Sequence, residues 1–78
     1  MEFTAHELAT RARQSIRSLA LHPDFGNPHA VCRYIAESQG LSLPTVRKFY
    51  DDEESNPTVD TLDKIRTGIR LIFEKAAA

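Results

Sequence analysis

A chain of 78 residues leaves room for one small domain and little room for a substrate pocket. A single cysteine, Cys32, excludes an intrachain disulfide, and no apolar run approaches the roughly 18 residues that span a bilayer. A formal charge of −1 gives no global pull on nucleic acid, so any basic binding surface must be local. Residues 1–50 hold six Lys/Arg against four acids, and residues 51–78 hold four against seven, so the chain is basic first and acidic later. The opening MEFTAHELAT has an early acid and no apolar core of the kind a signal peptide carries, so a cytoplasmic protein is expected.

The first helix is expected from Thr4 to about Leu21. Thr4 and Glu7 have the spacing of a capping box, and Phe3 and Leu8 that of a hydrophobic staple. Leu8, Ala12, Ile16 and Leu19 recur at helical spacing, and Arg11, Arg13 and Arg17 lie off that stripe. Two readings apply to these arginines, a solvated face or contacts to phosphate. The stretch from His22 to Pro28 holds two prolines and a glycine, which break a helix.

Asn27 is a good N-cap and Pro28 a good first residue for a second helix running to Gln39. Val31, Tyr34, Ile35 and Ala36 form its inner face. Gly40 ends it in the left-handed conformation that a terminating turn favours. Ser42 caps a third, short helix with Pro44 in its first turn; Val46 and Phe49 face inward, and Thr45, Arg47 and Lys48 face outward. The acidic run Asp51-Asp52-Glu53-Glu54 opens a polar connection to Pro57. It is expected to lean away from the third helix. Thr58 caps a fourth helix, over about 58–76, whose stripe is Val59, Leu62, Ile65, Ile69, Ile72 and Phe73. Gly68 interrupts that stripe, which calls for a close contact or a bend. No segment alternates with period two, so the fold class is all-α, a compact four-to-five-helix bundle forming a single domain over 1–78.

The spacing of Ala36, Gly40 and Val46 suits a helix-turn-helix, here about 28–51. A small residue lets the two helices cross closely, and glycine accepts a positive φ in the turn. With these residues in view, the stretch YIAESQGLSLPTVRKFYDDEESNPTVDTLDKI resembles the helix-turn-helix of the lambda-repressor/Cro (XRE-type) class. The matching residues are Ile35, Ala36, Gly40, Ser42, Thr45, Val46, Asn56, Pro57, Thr61, Leu62, Lys64 and Ile65, and the likeness covers roughly residues 28–72.

The resemblance implies that the third helix enters the major groove, with base readers among Ser42, Leu43, Pro44, Arg47 and Lys48. Arg47 has the chemistry to bond N7 and O6 of a guanine. Thr45 and Ser42 are implied phosphate donors, and Arg33 a backbone contact. The chain departs from the class pattern at Gln39, at Cys32, at the apolar Leu43-Pro44 and at the acidic run.

His29 and Cys32 stand at i, i+3, a possible metal pair without a third ligand; a packed core cysteine is the expected reading. No P-loop, dinucleotide fingerprint or nucleophile elbow occurs, so neither an enzyme nor a cofactor is expected. Ile69, Leu71, Ile72 and Phe73 spread round more than one face of the fourth helix, which suggests a homodimer interface. Two functions follow. One is a DNA-binding transcriptional regulator, a repressor of phage or mobile-element type, acting as a homodimer on double-stranded operator DNA. The other is a protein-interaction module on the same scaffold, such as a phage-encoded inhibitor or adaptor, meeting its partner through Asp51, Asp52, Glu53 and Glu54.

Overall fold

The computed structural model describes residues 4–55 and 57–77. The fold is all-α, with four helices and, among the described residues, no strand: α1 (Ala5–Leu19), α2 (Pro28–Gln39), α3 (Leu43–Asp51) and α4 (Val59–Ala77). Among the described residues no helix is long and apolar enough to cross a membrane. The staple expected of Phe3 and the class residue Asn56 lie outside the described residues.

Side-chain caps start each helix at the residue the sequence offers. The Glu7 N–H donates to Thr4 Oγ1 at 3.1 Å, Ala30 N–H to Asn27 Oδ1 at 2.8 Å, Thr45 N–H to Ser42 Oγ at 3.3 Å and Thr61 N–H to Thr58 Oγ1 at 3.2 Å. Each satisfies a first-turn donor that has no partner within its own helix. The first helix stops at Leu19, before the expected Leu21, because the chain tightens there. Leu21 and His22 N–H groups turn back to the Ser18 and Leu19 carbonyls at 3.1 and 3.0 Å. The C-cap Gly40 has φ 67°, and Leu41 N–H closes the turn on the Ala36 carbonyl at 2.9 Å.

Helix α2 is the centre of the molecule and packs against the other three. Its Val31, Cys32 and Ile35 are fully buried, together with Ile16, Val46, Phe49 and Ile65. Burial of an apolar side chain of this size stabilises by about 1.5–3 kcal/mol, and this cluster is the chief source of stability in so small a chain. Gly68 supplies the close contact rather than a bend. A Cβ built there would lie 3.1 Å from the Ile35 side chain, tighter than ordinary contact, so an alanine would require Ile35 to give by a few tenths of an ångström.

Three expectations about the helices are corrected. Val59 is 68% exposed and does not belong to the buried stripe of α4. Ile69 and Ile72, expected at a dimer interface, are buried in the protomer's own core. They continue the register of Leu62 and Ile65, whereas Leu71 and Phe73 fall outside it and remain exposed.

The third correction concerns Arg13, which is only 5% exposed and so neither a solvated residue nor free for phosphate. Its Nε donates to the Phe49 carbonyl at 2.7 Å, and one terminal nitrogen donates to the Asp52 and Ser55 carbonyls at 3.2 and 3.0 Å. The guanidinium also lies 4.5 Å from the centre of the Phe49 ring. A cation from α1 therefore caps the carbonyl end of α3 and fixes the start of the acidic connection.

Candidate nucleic-acid interface

Helix α3 buries Val46 and Phe49 and exposes Pro44, Thr45, Arg47 and Lys48, while Leu43 and Tyr50 are half-buried. The period of the buried pair fixes which residues point out. The Ser42 and Thr45 hydroxyls hydrogen-bond each other at the N-terminus of the helix. One hydroxyl hydrogen is thereby taken up, and the other remains to donate outward.

The α2–turn–α3 unit brings Arg33 and Arg47 to one shallow groove of about 200 Å³, lined also by Asn27, His29, Ala30 and Leu43. Two cations from different helices thus line one groove beside the first turn of α2, where the helix dipole is positive. Four of the seven expected DNA-facing residues, Ser42, Pro44, Thr45 and Lys48, lie outside this groove's lining; Arg33, Leu43 and Arg47 lie in it. The sequence reading missed Asn27, His29 and Ala30 as groove residues. The signal for them in the sequence is the capped start of the second helix, whose first-turn N–H groups and dipole favour an anion.

The four acids of the connection divide. Asp52 Oδ1 accepts from Glu54 N–H at 2.9 Å, and the Asp52 carbonyl accepts from Ser55 N–H at 3.0 Å, which makes the segment a formed turn. Glu53 and Glu54 lie over α1, lining a recess with His6, Thr10, Arg13, Gln14 and Arg17. Asp51 does not line the groove but lies beside it, its carboxylate 3.6 Å from Nε2 of the groove residue His29 across the α2–α3 contact.

Cys32 is fully enclosed behind this surface, with its side chain in the core. Burial pushes its thiol up to about 11, and the Asp51 carboxylate adds to the rise while Arg47 opposes it. The His29 ring lies against Asp51, Nε2 to Oδ1 at 3.6 Å. Among the described residues no group of three or more His, Cys, Asp or Glu is arranged to hold a metal ion.

In comparisons with known proteins, the chain matches no family model, no curated protein and no solved structure.

Proposed function

We propose that the α2–turn–α3 unit is a helix-turn-helix of lambda-repressor/Cro type, and that the protein is a sequence-specific DNA-binding regulator acting as a repressor. The observation that carries this reading is the groove in which Arg33 and Arg47 converge on the N-terminal turn of α2. Cations and a positive helix end there make a local anion site on a chain whose net charge offers none. In this reading Arg47 reads a guanine edge, Arg33 and Lys48 hold phosphates, and Ser42 or Thr45 donates its remaining hydroxyl hydrogen to the backbone. Leu43 and Pro44 meet thymine methyls. The reading includes no catalysis and places the protein in the cytoplasm with its DNA. Its small size is of the kind used by phage and mobile-element regulators.

A homodimer completes the proposal. The globule measures 30 × 30 × 20 Å. Two copies side by side set equivalent helices one protomer width apart, close to the roughly 34 Å that separates successive major grooves. Of the residues expected at that interface, Leu71 and Phe73 are the exposed ones.

A second reading, a protein-interaction module, draws on the exposure of Asp51, Asp52, Glu53 and Glu54. Anisotropy titration of the chain's own upstream DNA at two salt concentrations separates the two. Salt-sensitive binding supports the regulator, and absence of binding at low salt leaves the interaction module. Charge reversal of the four acids damages function only under the second reading.

A further inference from the structure

His29 is a third basic side chain in the groove lined by Arg33 and Arg47. It stands one turn before Arg33 on α2, so the two side chains share one face of that helix. The ring is exposed, its Nε2 lies 3.6 Å from an Asp51 carboxylate oxygen, and among the described residues its Nδ1 has no hydrogen-bond partner. The charged groups around it are Arg33 on its own helix and Arg47 and Asp51 on α3. No residue of α1 or α4 lines the groove, and the Cys32 thiol, one turn along α2, keeps its proton up to about 11.

We infer, resting on the reading of this groove as an anion site, that His29 and Arg33 hold one phosphate group between them, and that His29 does so only when protonated. The carboxylate beside Nε2 favours a ring proton on that nitrogen, because a negative charge attracts an N–H and repels a lone pair. In the neutral ring Nδ1 then carries the lone pair, and it can only repel a phosphate oxygen. A second proton turns Nδ1 into a donor and makes the ring a cation. Two arginines against one carboxylate leave a single net positive charge while the ring is neutral, and the imidazolium doubles it. Both changes favour an oxyanion. Histidine is the side chain that ordinarily changes charge between about pH 5 and 8, whereas arginine stays charged throughout. The affinity of the groove for phosphate therefore follows the proton on His29. By linkage, a phosphate that prefers the protonated ring draws a proton onto the chain as it binds.

The test is anisotropy titration of the full chain on its own upstream duplex at about pH 6 and about pH 8. Wild-type affinity should be about three- to tenfold higher at the lower pH. The slope of log affinity against log salt should also be steeper there, by about 0.9 per protomer. His29→Gln should bind at both pH values as the wild type binds at the higher one. His29→Lys, charged at both, should bind more tightly than His29→Gln at each. His6→Gln and His22→Gln should keep the wild-type dependence. Calorimetry in two buffers of different ionisation heat should show a proton uptake that His29→Gln loses. Equal wild-type affinity at the two pH values overturns the inference, as does a dependence that survives His29→Gln. If no duplex binds at low salt at either pH, the regulator reading falls and sulfate, a tetrahedral oxyanion of constant charge over this range, decides between free anion and no anion. Sulfate bound more tightly at the lower pH by the wild type, and alike at both by His29→Gln, supports the inference in amide NMR titrations. Sulfate bound alike by the two chains overturns it.

Discussion

Arg13 and Phe49 are 36 residues apart in the chain and meet twice, once through a 2.7 Å hydrogen bond from Nε to the backbone carbonyl and once through the guanidinium over the ring. The contact ties α1 to the last turn of the helix that carries Arg47 and Lys48.

Removing Arg13 leaves the carbonyls of Phe49 and Ser55 without its guanidinium, while the Asp52 carbonyl keeps its bond from Ser55 N–H. Arg13→Ala should cost about 3 kcal/mol, since a hydrogen bond to a charged group contributes about 1.5–3 kcal/mol and the partners are partly buried. Arg13→Lys should recover little, because a point charge cannot serve three acceptors held by a planar fork. Urea unfolding measures both. A loss below about 1 kcal/mol for Arg13→Ala shows that the carbonyls find water instead.

The two glycines that border α2 should respond to alanine for different reasons. At Gly40 a Cβ meets nothing within 4 Å, so Gly40→Ala pays only for the left-handed backbone, about 1–2 kcal/mol. At Gly68 the backbone is helical and alanine gains about 1 kcal/mol of propensity, but its Cβ presses on the fully buried Ile35, at a cost of about 1–3 kcal/mol. A double-mutant cycle with Ile35→Ala distinguishes them. Coupling should appear for Gly68→Ala and be absent for Gly40→Ala.

Much of this architecture was legible in local sequence, because caps and breakers act over a few residues. Thr4, Asn27, Ser42 and Thr58 announce the helix starts, and Gly40 the turn between α2 and α3. The burial of Val46, Phe49, Leu62 and Ile65 follows from periodicity alone. What stayed hidden depends on partners distant in the chain. Arg13 sits beside the stripe residues Ala12 and Ile16, and only the return of α3 to α1 reveals that a cation is needed there. Ile69 and Ile72 read as surplus because the capacity of the core to receive them depends on how closely α4 approaches at Gly68. At the candidate site, the sequence gives the arginines but not their meeting: Arg33 and Arg47 share a groove only through the crossing of α2 and α3.

The buried thiol gives stability a pH dependence of definite sign. The folded chain holds the Cys32 proton up to about 11, above the ordinary value of 9.0. The unfolded chain loses it first, so the folded state binds more protons between these values and stability falls as pH rises from 9 to 11. Below 9 the contribution is fully present. Urea midpoints for the wild type should drop across this window more steeply than those of Cys32→Ala. Parallel pH profiles for the two chains would show the thiol to be uninvolved.

Asp51 lies next to the groove through its 3.6 Å contact with His29. If phosphate lies over Arg33 and Arg47, Asp51→Asn removes a repelling charge, and duplex affinity at low salt should rise by about three- to tenfold. Glu53→Gln and Glu54→Gln, which lie over α1, should change it less. Anisotropy of the three variants on one duplex gives the order. A fall in affinity for Asp51→Asn would mean that the carboxylate accepts a hydrogen bond from a base or positions His29.

The most direct measurement is the affinity of wild type, Arg33→Ala and Arg47→Ala for the chain's own upstream duplex and for single-base variants of it, at low and moderate salt. The account predicts salt-dependent binding by the wild type and a loss of about 1–3 kcal/mol for Arg47→Ala, with relaxed discrimination at one guanine. Arg33→Ala should weaken all duplexes alike. Binding that Arg47→Ala leaves unchanged, or no binding at low salt, contradicts it.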